Sequence, residues 1–97
     1  MDKNIIICAL LASVTMTAKA QSNQALRDSL AKATDILAYH PDSIDLRLKK
    51  SAWNIQLEQW SYAKDDLDKV LFLDNTNIAG LFYRAFVNEK MKRYNFA

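Results

Sequence analysis

Trp60, Ala63, Leu67, Val70 and Leu71 fall three and four positions apart, with Lys64, Asp65, Asp68 and Lys69 between them. On a helix this spacing gathers one apolar stripe and leaves a charged face opposite. It predicts a helix over about residues 60–73. Comparable runs predict helices over about 23–39, 44–57 and 78–91. The breaks between them are equally readable. Pro41 disfavours helical geometry at His40, so His40-Pro41-Asp42-Ser43 ends the first helix. Asp42 or Ser43 is of the right type to cap the second. Asp74-Asn75-Thr76-Asn77 is a second turn-forming tetrad. A shorter break falls at Glu58-Gln59, and Tyr94 to Ala97 is expected to open a fifth helix.

Helix four is patterned differently from helix three. Leu81, Phe82, Phe86 and Val87 make it apolar on more than one side. A helix of that kind expects neighbours on both sides. Ending at Ala97 leaves the second side without one. The expectation is therefore a longer array of which this is the opening part, or pairing with a second copy.

The first twenty residues follow another logic. Lys3 gives a small positive start, Ile5 to Met16 is a short apolar run, and Ala18-Lys19-Ala20 is a small-x-small triplet before Gln21. This is the layout of a secretory signal peptide over residues 1–20. The run is well short of the roughly 20 residues that a spanning helix needs, so cleavage after Ala20 is favoured over retention as an anchor. Cys8 lies inside the run without the small residues of a lipoprotein box before it. After cleavage no cysteine would remain, and disulfides could not supplement a small core.

Residues 44–63 and 78–97 align at an offset of 34. Ile44 pairs with Ile78, Leu48 with Phe82, Ser51 with Ala85, Asn54 with Asn88, Leu57 with Met91, Trp60 with Tyr94 and Ala63 with Ala97. Backwards by the same step, Val70-Leu71 pairs with Ile36-Leu37, and the two turn tetrads coincide. A fixed period of this length indicates stacked supersecondary units.

These residues resemble the tetratricopeptide repeat family, a 34-residue helix-turn-helix unit. The family places a small residue in its first helix, an aromatic nine positions later, a small residue three after that, and a proline or turn residue at the end. Ser51, Trp60, Ala63 and Asn75 fill those places, and Ala85, Tyr94 and Ala97 fill the first three again. Glu58 and Lys92 stand where the family has glycine, and Lys50 and Arg84 where it often has Leu. The resemblance implies an all-α fold: antiparallel helix pairs stacked as a right-handed solenoid, truncated at its C-terminus. The half repeat would be 24–43, the full repeat 44–77 and the incomplete one 78–97, together making residues 21–97.

The resemblance also implies a concave groove that holds a peptide or helix of another protein. From the first copy it would be lined by Asp45, Leu48, Lys49, Ala52, Ile55 and Gln56. The second copy would add Ala79, Phe82, Tyr83, Phe86, Glu89 and Lys90. The Lys and Asn clamp with which some members grip a carboxylate is replaced here by Leu48 and Ala52. A groove with Phe82, Tyr83 and Phe86 would suit an apolar or aromatic segment; the alternative, which the apolar pattern of helix four favours, is that these aromatics pack against a following fifth helix.

Composition narrows the function further. The chain of 97 residues has a net charge of +2, and removing Asp2, Lys3 and Lys19 lowers it to +1. That balance points to neither nucleic acid nor a membrane surface as partner. His40 is the one histidine and Gly80 the one glycine, so neither a zinc set in the mature chain nor a glycine-rich phosphate loop is expected. Asp65, Asp66 and Asp68 point different ways on a helix and are expected to form a solvated face with Lys64 and Lys69. No enzyme activity, cofactor or metal is expected.

The functional expectation is an exported scaffold, periplasmic or secreted, that binds a protein or peptide. Its alternatives are the N-terminal arm of a larger exported enzyme and a self-associating assembly element. Mass spectrometry of the exported chain should find Gln21 at its N-terminus; a product that keeps residues 1–20 contradicts the leader assignment.

Overall fold

A computed structural model describes residues 22–95, and within them every regular element is a helix. Helix α1 covers 22–39, α2 Ile44–Gln56, α3 Trp60–Leu73 and α4 Ile78–Asn95. The secretory leader expected over 1–20 lies outside the described residues. The four expected helices are present, with three of the four ends within about a residue of expectation. The fourth differs. No break occurs at Lys92, and α4 continues through Tyr94 instead of yielding to a fifth helix. Lys92 and Arg93 are good helix formers, and Arg93 pairs with Glu89 one turn back at 3.3 Å.

The connections are built alike at a distance of 34 residues. The His40 N–H donates to the Ile36 carbonyl at 3.0 Å, and the Asp74 N–H to that of Val70 at 2.8 Å. Ser43 donates to His40 and Asn77 to Asp74, each at 3.2 Å. Arg47 donates to Ser43 at 3.1 Å and Leu81 to Asn77 at 2.9 Å. The capping differs between the two turns. Ser43 occupies the N-cap of α2 but makes no side-chain cap hydrogen bond, so the expected capping role is not filled there. Asn77 does cap, its Oδ1 accepting from the Gly80 N–H at 2.8 Å. Asp74 stabilises that turn by accepting from the Thr76 backbone and hydroxyl.

The α2–α3 connection is tighter. The Glu58 N–H donates to the Ile55 carbonyl at 3.0 Å and the Gln59 N–H to that of Asn54 at 2.8 Å. This pair of bonds is a Schellman closure, which places the residue after the cap in the left-handed region. That residue is Glu58, with φ of 58°. A side chain there costs about 1–2 kcal/mol that glycine avoids.

The short connection turns α3 back along α2, and α4 then packs on α3 with a lesser contact to α2. Ser51 of α2 and Ala63 of α3 are both fully buried. Their small size lets the helices approach, and the Ser51 hydroxyl is satisfied by the Leu48 carbonyl at 2.7 Å. Ala63, Leu67 and Val87 form the centre of the core, with Leu48, Ile55, Trp60, Tyr83 and Met91 packed around it. Burial of a side chain such as Leu67 contributes about 1.5–3 kcal/mol. On α1, Ala33 and Leu37 lie one turn apart and are buried. Gly80 sits where α4 meets α3, and a Cβ there would lie 3.1 Å from Val70 Cγ1.

Glu58→Gly should raise the unfolding free energy by about 1 kcal/mol, read as a higher Tm in a thermal melt. A lowered Tm would show that the Glu58 side chain contributes more than its backbone conformation costs.

Candidate functional site

Six of the twelve residues expected in the groove line one cavity. Ala52, Ile55 and Gln56 of α2 face Phe82, Tyr83 and Phe86 of α4 across a cavity of about 300 Å³. Ala52 stands three and four positions before Ile55 and Gln56, and Phe86 four and three after Phe82 and Tyr83, so one side of each helix contributes. The aromatics are fixed by one another. The Phe86 ring meets Trp60 of α3 edge-on, with centroids 6.1 Å apart at 64°. Phe82 and Tyr83 are edge-on at 6.2 Å and 60°. Lys90 lies over the Phe86 ring, its Nζ 5.5 Å from the centroid, which puts one cation at the groove's edge.

The other expected groove residues are placed differently. Leu48 is partly buried against the core and does not line the cavity. Lys49, Asp45 and Ala79 are exposed. Glu89 is exposed and pairs with Arg93 at 3.3 Å. Phe82 keeps 68% of its surface in solvent and Phe86 41%, so the groove has an apolar wall open to a ligand.

A more open depression of about 510 Å³ surrounds the turn from Tyr39 to Ser43. Its walls come from five consecutive residues, so no second element brings another functional group to His40. Among the described residues no three His, Cys, Asp or Glu side chains gather as a metal set. No helix among them is long and apolar enough to cross a membrane.

One charged cluster departs from the sequence expectation. Asp66 belongs to no solvated face; it is 4% exposed. Lys50 Nζ reaches its Oδ1 at 3.2 Å and Arg47 Nη1 the same oxygen at 3.4 Å. The buried Asn54 amide donates to Oδ2 at 3.4 Å. Arg47 is further fixed by donating from Nε to the Pro41 carbonyl at 3.0 Å. The cluster therefore ties α2, α3 and the preceding turn together. Burial pushes the Asp66 carboxyl above its usual value, against the opposing pull of Lys50 and Arg47. Asp68 does lie outside, where Lys64 and Arg84 approach it at 3.4 and 3.7 Å. Such exposed pairs contribute little stability.

A signal for Asp66 existed in the sequence. It lies three residues after Ala63 and four before Val70, on the apolar stripe itself. Lys50, standing where the family pattern has Leu, supplies the matching cation.

The chain matches no family model, no curated protein and no solved structure.

A raised folded-state value sets the sign of the Asp66 contribution. Above pH 3.8 the unfolded chain loses this proton first, so the folded state holds more protons and stability falls as pH rises. Urea unfolding should show the wild-type chain losing stability relative to Asp66→Asn as pH rises from 3.8 to neutrality. A wild-type chain that gains stability relative to the variant over that range would mean that Lys50 and Arg47 outweigh burial.

Proposed function

We propose that the chain is an exported helical-repeat scaffold of the tetratricopeptide type, holding an apolar or aromatic segment of a partner protein between α2 and α4. The observation that carries this reading is the cavity of about 300 Å³ walled by Ala52, Ile55, Gln56, Phe82, Tyr83 and Phe86. Its walls are apolar but for Gln56, two helices converge on it, and two of its aromatics remain substantially exposed. Sites of this kind bind side chains of partners rather than activate bonds.

Three further features support the repeat assignment. The turns at 40–43 and 74–77 share their hydrogen bonds at the repeat distance. The small residues Ser51 and Ala63 are fully buried between helices. Glu58 adopts the left-handed conformation at the position where the family has glycine. Export rests on the three-part pattern of residues 1–20.

Peptides selected from a random library on the chain should be rich in Phe, Trp and Leu. Phe82→Glu should weaken the best of them by about 30-fold, the loss of one aromatic anchor, with helicity by circular dichroism unchanged. Equal binding to the variant would remove the groove as the site.

A further inference from the structure

The two walls of the groove are in register. Ala52 and Gln56 of α2 stand 34 residues before Phe86 and Lys90 of α4. The turns that precede the two helices share their backbone hydrogen bonds, so Gln56 and Lys90 mark the same end of the groove. Gln56 lines the cavity and is exposed. Lys90 Nζ lies 5.5 Å over the ring of Phe86, which is part of the same cavity wall.

That end carries donors and no carboxylate of its own. Glu89, the neighbour of Lys90, is paired with Arg93 at 3.3 Å. Glu58 lines a second depression together with Arg27, and Gln56 stands between the two. Among the described residues Lys90 takes part in no ion pair and the Gln56 amide in no hydrogen bond. A following helix of the same array leaves this end open. α3 covers α2 at Ser51 and Asn54, which are buried, while Gln56 stays exposed and Ala52 half-buried. Moved on by 34 residues, such a helix covers Ala85 and Asn88 and passes by Phe86 and Lys90.

We infer that the groove selects an extended acidic segment of its partner, an inference that rests on the groove being the binding site. One aromatic side chain enters between Ala52 and Phe86. A side-chain carboxylate two residues away accepts from Lys90 Nζ with one oxygen and from the Gln56 amide with the other. The spacing follows from geometry. Lys90 lies four residues beyond Phe86, a rise of about 6 Å on a helix. In an extended chain, side chains two residues apart share a face and are separated by about 6–7 Å. The Phe86 ring holds the ammonium in place and shields one side of it from water. A fixed, unpaired cation beside an apolar cavity favours an acidic segment over a neutral or basic one.

The probes are two end-blocked peptides, Leu-Glu-Ser-Trp-Ser-Glu-Leu and Leu-Gln-Ser-Trp-Ser-Gln-Leu. Their symmetry serves either chain direction, and blocked ends remove the terminal carboxylate. Chemical-shift titration of the full chain should show the Glu peptide binding about 5-fold more tightly. Lys90→Gln should remove that advantage with helicity unchanged. Lys90→Glu should transfer it to the same peptide carrying Lys for Glu, which a merely structural role of Lys90 does not explain. Arg84→Gln, which removes a cation outside the groove, should leave the advantage intact. Equal binding of the two peptides overturns the acidic ligand and leaves the groove as the site. Binding of neither removes the groove reading and the inference with it. An advantage lost equally with Arg84→Gln reflects net charge and overturns the inference. So does peptide binding that disappears as the chain is concentrated, which places a second copy in the groove.

Discussion

Two helices can share a core this small only where their backbones come close, and here that happens at Ser51 and Ala63. Both are fully buried, and neither has a side chain long enough to hold the helices apart. Everything near that contact follows from the short distance. Leu67 and Val87 close over it, the Asp66 carboxylate comes within reach of Lys50, Arg47 and Asn54, and α4 can then lie across the pair. The polar cluster is a consequence of the close packing as well as a support for it. A carboxylate brought this far out of water is costly unless partners surround it, and α2 supplies three of them on one side.

Much of this was legible before any coordinates. Pro41, Asp74 and Asn77 mark the turns because their chemistry limits the backbone, and such local restrictions survive in any fold. The three-and-four spacing from Trp60 to Leu71 is similarly local. Asp66 was not legible in that way. Within Asp65-Asp66-Leu67-Asp68 composition alone speaks for solvent, and only the phase of the helix places Asp66 inward. The end of α4 was misread for a different reason. A break at Lys92 was expected from the repeat spacing, but the residues there favour helix, and local propensity prevailed. The groove was read by position along the repeat. Six of its residues converge, while Leu48 turned to the core because α3 offers it apolar neighbours.

The groove and the outer side of α4 are two faces of one helix, and their chemistry differs. The groove side is aromatic, fixed by edge-on ring contacts with Trp60 and by Lys90 over Phe86. The outer side offers aliphatic surface with Arg84 and Asn88. Aromatic walls accept many apolar side chains with modest geometric demands, whereas a buried carboxylate beside an amide demands register. One helix thus presents two sides of different chemistry on a shared backbone.

Gly80 has a consequence for the groove although it lies outside it. A Cβ at that point would press on Val70 Cγ1 at 3.1 Å and on Leu71 Cδ2 at 3.3 Å. The contact falls in the first turn of α4, only two to six residues before Phe82, Tyr83 and Phe86. A methyl group added there would push this end of α4 off Val70 and Leu71 of α3, so the seating of the helix beside the aromatic cleft depends on that methyl being missing.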